Sequence, residues 1–265
     1  MNKRETVAAS AAVCAGLVGT GRLIDRNRGG KPVATVGAVG IAATYLAGTY
    51  VQNLPLFGAV ARPAVGVGEN RFALTFDDGP DPRHTPAIST LLAKRGHHGT
   101  FFVLGRAARM HPELVRQLAD DGHEIACHGD DHRLLAFASP RTIRAQVAAW
   151  EDAVEAALDC PGARLIRTPH GLRSPWFGTV ARREGYRVCG WDGSVFDTAE
   201  PGAAMIVRRV VSLLRPGVVV LLHDGDGSGQ GGSRAQTVSA LGPVLDAADA
   251  KGLRSTTLGS LVSRR

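Results

Sequence analysis

Two adjacent carboxylates, Asp77 and Asp78, lie in the run Thr75-Phe76-Asp77-Asp78-Gly79-Pro80. Side by side in a crevice they conflict, because like charges at short range drive one of them to protonate. A divalent cation removes the conflict: one carboxylate ligates it and the other stays free as a base. Further ligands are offered downstream by His128 and His132, whose i, i+4 spacing suits one ion if the segment forms a helical turn. With Asp78 they make a two-histidine, one-carboxylate set with positions left open for water and substrate, as in catalytic rather than structural metal sites. A plain turn would also account for Asp-Asp-Gly-Pro. What favours chemistry is that ionisable groups recur downstream, in Arg167-Thr168-Pro169-His170-Gly171, in Trp191-Asp192 with Asp197, and in Leu221-Leu222-His223-Asp224.

The elements that must position these groups are legible from about Arg71 onward. Strand-like stretches are Arg71–Phe76, Thr100–Leu104, His123–His128, Arg164–Thr168, Tyr186–Trp191, Val218–His223 and Leu253–Leu258. Between them run helix-like stretches, 86–95, 112–121, 140–158, 175–184, 203–214 and 235–250, with Ser139-Pro140 and Ser174-Pro175 as helix starts. Strands separated by helices of this length indicate parallel βαβ units, closed into a barrel or doubly wound. Ligands of such folds sit at the C-terminal ends of the strands. Five of the seven strands deliver an ionisable group at or next to that end (Asp77, His128, Arg167, Asp192 and His223), which is a catalytic pattern.

Taken in order, TFDDGP at 75–80, HxxxH at 128–132, RxPxG at 167–171, the aspartate-bearing stretch 191–198 and LLH at 221–223 resemble the motif set of the polysaccharide deacetylase family. This is the family of the NodB-homology domain, carbohydrate esterase family four. The resemblance implies an α/β fold, an irregular (β/α)7-type barrel, and a metal-dependent hydrolase that removes N-acetyl groups from amino-sugar glycans. Peptidoglycan, a chitin-like chain or a related envelope polysaccharide would be the substrate. It also implies roles for individual residues. Asp77 is the general base, oriented by Arg167, and Asp78, His128 and His132 hold the metal. His223 is the general acid, tuned by Asp197; Asp192 is the alternative partner, the choice resting on spacing from Trp191. Leu221 lines the acetyl pocket and the His170 backbone N–H helps to hold the oxyanion. Trp191, like Trp176, is either a sugar platform or a core residue. Zinc heads the candidate metals, with cobalt, nickel and iron suited by the same donors.

Two departures from the family pattern stand out. Gly129 follows the first histidine of HxxxH with Asp130 and Asp131 behind it, and Thr198 stands after Asp197 where a tryptophan is frequent. The second keeps open a non-glycan amide or cyclic imide as substrate; a catalytically silent glycan-binding module is a further alternative. The remaining histidines, His84, His97, His98, His111 and His123, fall in loops or at helix ends and read as surface residues. Cys127 beside a ligand reads as packing.

Composition excludes other classes. The 265 residues are 44% apolar and 21% charged, too apolar for a disordered chain, and four cysteines do not make a disulfide framework. The net charge is +7, but residues 1–31 carry six basic and two acidic side chains, which leaves +3 for the other 234. That concentration is a membrane-topology signal rather than a phosphate-binding face, so no nucleic-acid partner is expected. The basic stretch 22–31 separates two apolar segments, 6–21 and 33–51. The expectation is therefore a membrane-anchoring region, 1–61, and a deacetylase domain, 62–265, on the extracytoplasmic side, with a secreted protein as the alternative.

Overall fold

The computed structural model describes residues 40, 43–49, 53–63, 70–227, 229 and 231–262. The chain divides into two units, Met1–Ala47 and Gly48–Arg265; the site belongs to the second. Apart from residues 40 and 43–49, the two apolar N-terminal segments lie outside the described residues. Among the described residues no helix is long and apolar enough to cross a membrane.

The second unit alternates strands and helices: β1 (Val60–Ala61), β2 (Arg71–Asp77), α1 (Thr85–Lys94), β3 (Gly99–Val103), α2 (Gly105–Met110), α3 (Pro112–Asp120), β4 (Glu124–Cys127), α4 (Pro140–Leu158) and β5 (Leu165–Ile166). It continues through α5 (Phe177–Arg183), β6 (Arg187–Cys189), β7 (Gly193–Ser194), α6 (Ala203–Leu213), β8 (Val219–His223), α7 (Ala235–Ala250), β9 (Arg254–Ser255) and α8 (Leu258–Leu261). The strand order is β1-β6-β5-β4-β3-β2-β8-β7, with β9 added to β2. All these pairings are parallel. The sheet curls without closing, and β1 and β7 are its edges. The expected barrel is thus an open one.

Strand periodicity builds the two layers. Successive side chains of a strand point to opposite faces. Phe72, Leu74 and Phe76 of β2 belong to the large cluster shared with the helices, where Phe76 stacks on Phe101 with ring centroids 4.8 Å apart. Ala73 faces the other way, into a smaller interior cluster with Phe102, Ala126, Leu165, Cys189 and Val219. Leu258 and Leu261 of α8 join that interior cluster, and the backbone N–H of Leu258 donates to Thr100 Oγ1 at 2.8 Å. One end of the barrel is therefore filled by apolar side chains. The inward positions at the other end, Asp77, His128, Arg167, Trp191 and His223, are left to do something else.

Helix boundaries follow local chemistry. Ser139 caps α4 by accepting from the Thr142 N–H at 3.2 Å, and Pro140 occupies the first turn, as expected from the sequence. Pro175 does not start α5, which begins at Phe177. The six-residue α2 and the short β1, β7 and α8 carry too little periodicity to be seen in sequence. Three of the histidines expected at the surface are buried: His84, His97 and His123. His123 Nδ1 accepts from the Gly99 N–H at 3.3 Å, so its Nε2–H donates to the Ser89 carbonyl at 3.1 Å. His97 Nδ1 accepts from the Ser255 N–H, and its Nε2 meets Asp249 at 3.1 Å. Both rings can be buried because both nitrogens are satisfied.

Candidate active site

Parallel register places the chemistry. Asp77, last in β2, is the lateral neighbour of His223, last in β8, and Thr75 is the neighbour of Leu221. β4 runs into His128 and β5 into Arg167. Asp77, His128 and His223 line a cavity of about 500 Å³ together with Asp78, His132, His170, Trp191, Thr198 and Leu221, and Arg167 reaches it through Asp77.

Asp77 and Asp78 face different partners because the chain turns sharply between them, Asp78 adopting φ 77°. Asparagine and aspartate tolerate this left-handed conformation better than most residues. Asp77 Oδ1 accepts from Arg167 Nη1 at 2.7 Å, and the same nitrogen reaches Thr75 Oγ1 at 2.9 Å. Arg167 Nη2 donates to the Gly190 carbonyl at 2.9 Å. The guanidinium is only 1% exposed and lies over the Phe102 ring, 4.1 Å from its centroid. A buried arginine fixed at three points neutralises Asp77 and holds one of its oxygens.

Asp78 Oδ1 lies 3.3 Å from His128 Nε2 and 3.0 Å from His132 Nε2. The three atoms fall within 4.8 Å of one another. His128 Nδ1 sits 3.1 Å from the Arg167 carbonyl, which can only accept, so this nitrogen bears a proton. In the neutral ring Nε2 is then a lone pair, and it points at a carboxylate oxygen that is buried and has no aligned hydrogen bond. A divalent cation among these atoms, or a proton on one of the imidazoles, satisfies such a convergence. Burial raises the Asp78 pKa, but the His128 and His132 imidazoles and the more distant His223 charge outweigh it, holding the carboxyl well below the usual range. The donor set fits a divalent metal, with the hydrogen bond from His128 to a backbone carbonyl orienting the ring as metal-ligand histidines require.

The HxxxH segment reaches this geometry without a helix. It is a loop in which Gly129 and His132 both have positive φ, 78° and 62°, and Gln146 of α4 anchors it by accepting from the Asp130 and Asp131 N–H groups at 2.9 and 3.3 Å. The two acids themselves turn away from the metal set. Asp130 pairs with Arg109 at 2.6 Å and Asp131 with Arg133. Cys127 faces the helix layer, and burial pushes its thiol far above the usual range.

Across the cavity, His223 Nδ1 lies 2.8 Å from Asp197 Oδ1. Asp197 Oδ2 accepts from the His223 N–H at 2.8 Å and from Thr237 Oγ1 at 2.9 Å. Burial works against the imidazolium, but the hydrogen bond and charge of Asp197, with smaller contributions from Asp78 and Asp77, push the His223 pKa up to about 9. Asp192 is elsewhere. Its Oδ2 accepts from the Val219 N–H at 3.0 Å, at the start of β8, four residues and roughly 13 Å of strand from His223.

His170 takes φ 57° in the short 3-10 turn Pro169–Gly171, its ring centroid 4.3 Å from that of His132. Trp191 and Leu221 line the cavity; Trp176 is exposed and is not among the lining residues. The lining also includes Asp226, Gly227 and Arg234, which the motifs do not contain. Asp226 and Gly227 have one sequence signal, the glycine-rich run 225–232 directly after the His223 strand end, and Arg234 has none. Thr237 had no signal at all: it reaches Asp197 from the first turn of α7.

A family model described as polysaccharide deacetylase matches residues 64–189. A chitooligosaccharide deacetylase of Sinorhizobium fredii is 34% identical over 195 residues, 72% of this chain and 91% of that protein. A peptidoglycan-N-acetylglucosamine deacetylase of Bacillus cereus is 34% identical over 196 residues, 73% and 89% of the two chains. In three dimensions the solved Bc1960 peptidoglycan N-acetylglucosamine deacetylase superposes with a TM-score of 0.70 at 28% identity, covering 77% of this chain and 91% of its own. Motif order, strand-end geometry and relatives matched over most of their length agree, and the chain belongs to the polysaccharide deacetylase family.

Proposed function

We propose that this protein is a metal-dependent hydrolase that removes N-acetyl groups from an amino-sugar glycan of the cell envelope. The observation that carries the reading is the convergence on one cavity of an arginine-held carboxylate, a carboxylate–histidine–histidine donor set and a histidine paired with a buried aspartate.

An acetamide is a weak electrophile, and its amine cannot leave as an anion. A divalent metal held by Asp78, His128 and His132 would polarise the acyl oxygen and lower the pKa of water; zinc is the first candidate. The chain's own groups do the rest. Asp77 has one oxygen fixed by Arg167, and the other, 3.8 Å from His128 Nε2, would take the proton of the attacking water. His170, whose N–H makes no backbone hydrogen bond among the described residues, would donate to the oxyanion, a contribution typically worth about 3 kcal/mol. His223, charged through Asp197, delivers the proton to the departing nitrogen. Leu221 offers an apolar contact for the acetyl methyl, and Trp191 a face for the sugar ring.

The two relatives named above act on N-acetylated glycans according to their names, which supports the same substrate class here. The basic stretch between the two apolar segments supports an anchored enzyme whose domain faces outward. The test is acetate release by the full chain from a panel of N-acetylglucosamine oligomers, peptidoglycan fragments and small cyclic imides, with and without chelator. Chelator-sensitive release from the glycans is expected. Turnover of imides alone would replace the substrate class, and metal binding with no turnover of any amide would make the protein a binding module.

A further inference from the structure

Both metal-set imidazoles need fixing, but they are fixed differently. His128 is oriented by its hydrogen bond to the Arg167 carbonyl. His132 Nδ1 has no counterpart of that bond among the described residues. Its ring is packed instead, against the His170 ring at 4.3 Å between centroids and against the backbone of Gly227. A Cβ on residue 227 would lie 2.5 Å from His132 Nδ1 and 2.6 Å from Cε1. No real Cβ sits so close, so only glycine lets this backbone touch the ring.

Packing of that kind orients a ring only if the backbone itself is held, and Arg106 holds it. Its Nη2 donates to the Gly227 carbonyl at 2.6 Å. The same residue's backbone N–H donates to the Asp130 carbonyl at 3.0 Å, and the preceding Gly105 N–H donates to the Gly129 carbonyl at 3.0 Å, within the loop that carries His132. One position earlier, the Leu104 N–H donates to the Gly79 carbonyl at 2.9 Å, next to Asp78. Three consecutive residues at the β3–α2 junction thus tie the turn of Asp78, the loop of His132 and the Gly227 backbone beside the His132 ring. None of them belongs to a motif of the family pattern.

We infer that Arg106 and Gly227 are positioning residues for the metal ligand His132, Arg106 clamping the Gly227 backbone against the imidazole in place of the hydrogen bond that His128 enjoys. The inference rests on the reading of Asp78, His128 and His132 as ligands. Outer partners of metal-ligand histidines typically change metal affinity by about 10–100-fold, and that is the effect expected.

The experiment measures Co²⁺ affinity by chelator competition, and the visible spectrum of the Co²⁺ form, in the full-length protein and the variants Gly227→Ala, Arg106→Gln, Arg106→Lys, His132→Ala and His128→Ala. Thermal melting of the metal-free proteins is followed in parallel. Gly227→Ala and Arg106→Gln should weaken Co²⁺ about 10–100-fold and alter the spectrum while the metal-free melting point holds. Arg106→Lys, which keeps a donor for the Gly227 carbonyl, should recover part of the affinity. Wild-type affinity and spectrum in Gly227→Ala and Arg106→Gln, with binding lost in His132→Ala, would overturn the positioning roles and leave the metal site standing. Wild-type affinity in His132→Ala and His128→Ala would overturn the ligand assignment itself. Should Gly227→Ala fail to fold, the two Arg106 variants decide the matter alone.

Discussion

Asp197→Asn isolates what the buried carboxylate does for the acid histidine. In the folded protein His223 is held at about 9, so at pH 7 about 99% of the rings carry the proton. Asparagine keeps an oxygen that can still accept from Nδ1–H at the 2.8 Å contact, but the charge is gone. Burial still disfavours the imidazolium, so the value falls to the ordinary 6.5 or below. That fall corresponds to about 3 kcal/mol of lost stabilisation of the charged ring, and at pH 7 about a quarter of the rings or fewer stay protonated. The sign follows from the role: a proton donor works below its pKa, so activity is lost as pH rises through it. The wild-type alkaline limb therefore lies well above neutrality, and that of the variant near or below it. A cation held by Asp78 offsets part of that carboxylate's pull on His223 in both proteins, which makes the displacement between the two limbs the quantity to measure. With loosened orientation added, kcat/KM at pH 7 should drop by about 10²-fold, within the usual contribution of acid–base groups, and the deficit should narrow at lower pH. Acetate release across pH, with an NMR titration of His223 in the metal-free protein, provides the measurement. Superimposable pH profiles, or a His223 titration unmoved by the substitution, would refute the pairing as a functional one.

Asp77→Asn should lower turnover by at least about 10²-fold yet stay folded by circular dichroism, since Arg167 keeps Thr75 and Gly190 as partners; wild-type turnover would remove Asp77 as the base. Chelation should abolish acetate release and added Zn²⁺, Co²⁺, Ni²⁺ or Fe²⁺ should restore it, with Asp78→Asn losing the restoration; activity indifferent to chelator would end the metal reading. Asp224, fully buried, has its carboxyl raised to about 7, by burial first and by the Asp78 and Asp77 charges, against the hydrogen bond from Thr85. The folded state therefore holds an extra proton between about pH 4 and 7, and the stability this confers is lost as pH rises through that window. Asp224→Asn should flatten the decline of melting temperature across it; parallel curves for variant and wild type would show that Asp224 does not ionise there.

The strand-end motifs and the alternation of elements were readable because each depends on local chemistry. The buried parallel strand Arg71–Asp77 is apolar at Phe72, Ala73, Leu74 and Phe76, a Ser-Pro start caps its own helix at Ser139, and an Asp-Asp pair in a crevice demands charge compensation. The period of two within a strand puts His128 and its neighbour Cys127 on opposite faces, in keeping with the reading of Cys127 as packing.

Distance along the chain could not decide what depends on sheet register and curl. Asp192 and Asp197 are both near Trp191 in sequence, yet only Asp197 meets His223, because Asp192 is bound at the opposite end of β8. His128 and His132 converge on Asp78 through a loop with positive φ at Gly129 and His132, not through a helical turn. Arg106 and Gly227 are 121 residues apart, and although Gly227 lies in a glycine-rich run nothing local pairs the two, since a contact between a guanidinium and a distant carbonyl leaves no periodicity behind. Sequence marked the motif-borne groups of a catalytic rim; tertiary structure alone added Arg234 and Thr237 and determined which groups touch, because hydrogen bonds and coordination act over about 3 Å and only packing brings remote segments that close.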